Sequence, residues 1–166
     1  MAHFCNTLAK TIDFLLIGGG IIVCSVVFIN VVSRYLLNVD LAFVNEFGET
    51  IFVWLTFLGS ARAVRSYSHL AVVEFIEHIP VRVSRLLFMM LWALTLIMLA
   101  GLVWFGSGIA IANMNQFMSV TGWPVGVVYW AMPLGSAVAL IFVLEQIIRG
   151  DDFRALVAAS YSVVEE

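Results

Sequence analysis

The sequence predicts an all-α membrane protein: four transmembrane helices, with a short amphipathic cytoplasmic helix between the second and third. Three observations carry this. Hydrophobic residues make up 63% of the 166-residue chain and charged residues only 11%, more apolar surface than a soluble domain of this size can hide. Residues 86–144 hold no charged side chain at all. Apolar stretches also recur at about the 20-residue length that a helix needs to cross a bilayer.

The first span is expected over about 12–37. Its apolar run from Phe14 to Ser33 is long enough to cross, and no small-x-small cleavage site follows, so it reads as a helix rather than a removable signal. The second is expected over about 45–64. Its uncharged centre is only residues 50–61, with Glu49 before it and Arg62 after it. It therefore carries charge into the membrane edges, where charge is costly unless it snorkels or meets a partner. The third span follows Pro80, a residue suited to a first helical turn, with its apolar core over about 86–113. The fourth follows Pro124 over about 125–148, and Pro133 inside it should bend it or loosen one turn. The four spans read as one domain covering residues 1–166, with no internal repeat.

Arg and Lys counts set the orientation. Arg62, Arg65, Arg82 and Arg85 crowd the middle loop, Arg149 and Arg154 the C-terminal tail, and Lys10 the N-terminus. The loop between spans three and four has no charge, and the first loop has Asp40, Glu46 and Glu49 against Arg34. Both termini are thus expected in the cytoplasm. In the middle loop, Val72, Val73, Phe75, Ile76 and Ile79 share one helical face and Glu74, Glu77 and His78 the other, which predicts the amphipathic surface helix. Small residues recur at close-packing spacing: Ala131, Gly135 and Ala139 on span four, Gly59 and Ala63 on span two, Gly108 and Ala112 on span three.

Catalytic, cofactor-binding and metal constellations are not found. None of His3, His69 and His78 lies deep in a span, which argues against a haem-carrying redox subunit. The His and acidic residues of the middle loop match no metal-ligand spacing, and no Gly-rich phosphate loop or nucleophile elbow is present. Cys5 and Cys24 suggest no disulfide, and a net charge of −3 without a basic cluster suggests no nucleic acid partner. The mid-span polar residues are few and uncharged: Ser25, Thr56 and Thr95. A chain so thin in polar groups is not expected to move a solute alone.

The charges that exist gather at the interfaces. Arg34 is expected to pair with Glu46 or Glu49 across the first hairpin and fix its register. Glu46 and Glu49 lie three apart, as do Arg62 and Arg65, so each pair shares a helix face. The two arginines serve as snorkelling anchors or as polar contacts to a partner helix or lipid headgroup. Trp54 looks too deep for an interfacial belt.

At these residues the chain resembles the DctQ family, the small membrane subunits of tripartite ATP-independent periplasmic (TRAP) transporters. Arg34-Tyr35 matches the family's Arg-aromatic pair. Glu46 matches the second Glu of a Trp-x-Glu-Glu helix start. Phe52-Val53-Trp54-Leu55 and Leu58-Gly59 match the middle of the second helix, and Arg65 and His69-Leu70 its inner end. The chain departs from the pattern at Phe43 (usually Trp), Asn45 (usually Glu), Glu49 (often basic), Arg62 (usually small or apolar) and Val73 (often acidic). Glu49 and Arg62 thereby become candidate contacts particular to this branch. The resemblance implies a non-enzymatic scaffold in the bacterial inner membrane. Its partners would be a large membrane subunit, a periplasmic substrate-binding protein and membrane lipids. It also implies symport of an organic acid, of sialic acid or C4-dicarboxylate type, driven by sodium that binds the large subunit, with no cofactor on this chain. A self-contained oligomeric transporter or channel is the competing expectation. Arg34, Glu46, Glu49, Trp54, Arg62, Arg65 and His69 are the candidate structural or interface residues.

Overall fold

The computed structural model describes residues 2–39, 41–65 and 81–149. Its elements are α1 (Ala2–Leu37), α2 (Phe43–Arg65), α3 (Val81–Ala112), a one-turn α4 (Gly126–Tyr129) and α5 (Ala131–Arg149). Helix α1 starts well before the expected residue 12, because its first turns are amphipathic. Cys5, Ala9 and Ile12 fall on one face and are buried against Phe142 of α5, with Leu8, Leu16, Leu58 and Val138 packed around them. At 36 residues and 1.5 Å each, α1 is ~54 Å long, so its N-terminal turns extend beyond a bilayer's hydrocarbon core.

The fourth helical region is interrupted where Pro133 dictates. Proline has no N–H to give the carbonyl four residues back, at Tyr129, and its ring crowds that carbonyl. The helix accordingly ends at Tyr129 and restarts at Ala131. The other turn residues are also local in origin. Asn38 takes a left-handed φ of 53°, a conformation Asn tolerates, and the Leu41 amide donates to Asn30 Oδ1 at 3.0 Å. Between α3 and α4 the chain forms a small hairpin. The Val125 amide donates to the Gln116 carbonyl at 2.8 Å, and the Met118 amide to the Trp123 carbonyl at 2.8 Å. Gly122, at φ 67°, turns the chain at its tip.

The four long helices lie in a row rather than a closed ring. Helix α1 packs on α2, α2 on α5 and α5 on α3, while α1 meets α5 chiefly where its N-terminal turns reach Phe142. Close approach in the centre depends on the small ladder of α5. Ala131 and Ala139 are buried, and a Cβ at Gly135 would stand 2.6 Å from Phe57 Cβ. The ladder read on α3 does not pack within the chain: Gly108 has nothing within 4 Å, and Gly108 and Ala112 are both exposed.

Among the described residues, three helical segments are long and apolar enough to cross a membrane: Cys5–Leu37, Met89–Ala112 and Gly126–Ile148. Broad apolar surfaces on them are exposed, among them Phe14, Ile17 and Phe28 on α1 and Ile97, Trp104 and Phe105 on α3. Helix α2 is the most polar of the four, with charges toward both ends. The amphipathic segment expected over 71–79 lies outside the described residues.

Candidate functional site

Polar side chains are concentrated at the two ends of α2, where each set ties helices together. At its C-terminal end, called the inner end below, α2 closes with Arg62 and Arg65 in its last turn, where cations complement the helix dipole. Arg62 Nε donates to Asp13 Oδ1 of α1 at 2.7 Å. One turn on, Arg65 Nε donates to Glu145 Oε2 of α5 at 3.3 Å. The first pair is partly open, with side chains 32% and 41% exposed; the second is enclosed, at 15% and 5%. The Arg65 guanidinium also lies 5.4 Å from the centre of the Phe142 ring, a cation–π contact. The last carbonyls of any helix lack intrahelical donors. Gln146 Nε2 supplies one here, donating to the Val64 carbonyl at 2.8 Å.

At the N-terminal end, called the outer end below, Glu46 sits in the first turn of α2, where an acid suits the dipole. Its carboxylate accepts four hydrogen bonds from the hairpin tip. The Thr121 amide donates at 2.7 Å, Thr121 Oγ1 at 2.8 Å, the Val120 amide at 3.0 Å and Ser119 Oγ at 3.2 Å. Phe47 and Trp123 add an edge-to-face ring contact at 6.4 Å beside it. Deeper along α2, Trp54 Nε1 donates to the Val127 carbonyl in the broken turn at 3.2 Å. Trp54 thus serves the interior of the bundle, not a headgroup belt.

These positions correct the sequence expectations. Glu46 is committed to the hairpin at 119–121 and not to Arg34, because the α3–α4 connection folds back over the start of α2 and offers amides aimed at the carboxylate. Arg34 and Glu49 are exposed and form no ion pair among the described residues. Arg62 and Arg65 are neither free anchors nor free partner contacts, since each meets an acid of this chain. His69 lies outside the described residues. The sequence reading missed Asp13, Glu145 and Gln146. The signal was available: acids close the inner ends of spans one and four at the depth where two arginines close span two. Asp13 and Glu145 stand at the edge of long apolar runs.

Among the described residues no group of three or more His, Cys, Asp or Glu is placed to hold a metal. The arrangement fixes helix against helix at both ends of α2. Such a molecule is a multi-pass helical membrane protein whose polar groups serve assembly. The sequence model of the DctQ family, "Tripartite ATP-independent periplasmic transporters, DctQ component", matches residues 23–152. The chain belongs to that family, which is one of transporter components and not of enzymes, and it is a TRAP transporter small subunit. It is also similar to a Haemophilus influenzae protein described as a TRAP transporter small permease protein, with 26% identity over 149 residues, covering 89% of this chain and 90% of that one.

Proposed function

We propose that this subunit is the scaffold for the large transport subunit of a sodium-driven TRAP symporter for organic acids, of sialic acid or C4-dicarboxylate type. In this reading α2 crosses the membrane with the other three helices, and residues 1–166 form one four-span domain in the bacterial inner membrane with both termini cytoplasmic. Sodium and solute bind the large subunit, to which a periplasmic binding protein delivers the solute.

The observation that carries the reading is how the bundle spends its charges. Asp13, Arg62, Arg65, Glu145 and Glu46 are engaged with other parts of this chain. Transport sites near the midplane are built from polar or charged groups and broken helices. The groups that could have lined one serve instead to fix a row of helices. A rigid row with broad apolar flanks suits a static support for a moving partner. Co-expression with the large subunit, followed by purification in mild detergent, tests this. A stable one-to-one complex supports the scaffold role. A homo-oligomer that conducts or transports alone would establish the competing reading of a self-contained pore.

A further inference from the structure

The outward face of α2 sets it apart from the rest of the surface. Leu55, which meets Gly19, and Arg62, which meets Asp13, mark the side of α2 that packs on α1. Phe57, which meets Gly135, and Trp54, bonded to Val127, mark the side toward α4 and α5. At 100° per residue, Asn45, Glu49, Phe52, Thr56 and Ser60 fall together on the remaining side. All five are exposed. The exposed residues of α1 and α3 named above are apolar and suit lipid. This stripe is not of that kind: it carries a carboxylate, an amide and two hydroxyls along the least apolar helix of the four.

The hydroxyls turn back on their own helix, Thr56 to the Phe52 carbonyl at 2.8 Å and Ser60 to the Thr56 carbonyl at 2.8 Å. They therefore present small, weakly polar bumps rather than open hydrogen-bond demands. Gly48, with nothing within 4 Å of a Cβ there, borders the same stripe. Small side chains at four-residue spacing let a second helix come close in a membrane. Glu49 is different, since it forms no hydrogen bond or ion pair among the described residues. A carboxylate at the membrane edge that meets no polar group among the described residues calls for a donor from elsewhere.

We propose that this stripe, and not the apolar faces of α1 or α3, is where a transmembrane helix of the large subunit docks, bringing a cationic or other hydrogen-bond-donating side chain to Glu49. The assignment rests on the scaffold reading and adds the face to it. The test places a photoreactive amino acid at Thr56 or Ser60, or for comparison at Ile97 or Trp104 of α3, in the chain co-expressed with the large subunit. Adducts with the large subunit are expected from 56 and 60 and not from 97 and 104. In parallel, Glu49→Lys should lose the large subunit on purification while the variant chain alone keeps its thermal stability, because Glu49 is exposed and forms no hydrogen bond or ion pair among the described residues. Adducts from 97 or 104 with none from 56 or 60, adducts between two copies of this chain, or full retention by Glu49→Lys would overturn the assignment. If the wild-type pair copurifies in those cases, the scaffold reading still stands; if it does not, both fail.

Discussion

The two ends of α2 are held by different chemistry. At the inner end, side chain meets side chain: a guanidinium and a carboxylate on each of two helix pairs. At the outer end, one carboxylate meets backbone amides and hydroxyls of a hairpin. The inner tie depends only on helix packing, because both partners project from helices fixed in the row. The outer tie depends on a loop conformation, because two of the four donors are main-chain N–H groups aligned by the turn at 119–122. An ion pair between helices can be exchanged for another pair that fits. A carboxylate cradled by amides has no such exchange, since a backbone cannot be swapped.

The largest expected effect is at the enclosed inner pair. Glu145→Ala leaves Arg65 enclosed without its acid, and breaking such a pair costs about 3–5 kcal/mol. Thermal unfolding in detergent should show a large drop for Glu145→Ala. Adding Arg65→Met should recover the part of the loss that comes from the uncompensated charge, since no enclosed cation then lacks its acid. Next is the helix contact that both ties frame. Gly135→Ala places a methyl 2.6 Å from Phe57 Cβ and 3.1 Å from the Phe57 carbonyl oxygen, so α2 and α5 must separate, at about 1–3 kcal/mol for overpacking. Thermal unfolding of that variant checks it.

At the outer end, Glu46→Gln keeps the size and loses the charge-assisted acceptor. Its signature is local. Amide exchange at Val120 and Thr121 should speed up while amides of α5 stay protected. An arginine introduced at 119 should not restore protection, in contrast to the rescue at the inner end. The smallest effect is expected for Asp13→Asn. The Asp13–Arg62 pair is partly open, and exposed pairs contribute about 0–1 kcal/mol, less at high salt. A salt titration of unfolding should find wild type and Asp13→Asn converging.

Hydropathy located the helices because a bilayer demands long apolar runs, and residues 86–144 carry no charged side chain. Pro133 foretold the break at Trp130 because the missing N–H acts within one turn. The early start of α1 was hidden, since its N-terminal turns are held by Phe142, about 130 positions away in sequence, and not by lipid. The candidate site was half legible. That Arg62, Arg65, Glu46 and Trp54 matter followed from polar groups in an apolar setting. Which partners they take did not. The order of helices in the row decides that Arg65 reaches Glu145 on α5, and the loop's return decides that Glu46 faces Thr121 rather than Arg34. Both are long-range choices that spacing along one helix does not encode.

The most direct test of the scaffold account is solute uptake into vesicles reconstituted with this chain alone, the large subunit alone, or both, with an inward sodium gradient and a solute-loaded binding protein. The account predicts uptake only when both membrane subunits are present, and its collapse when the sodium gradient is dissipated. Uptake by vesicles holding this chain alone would contradict it.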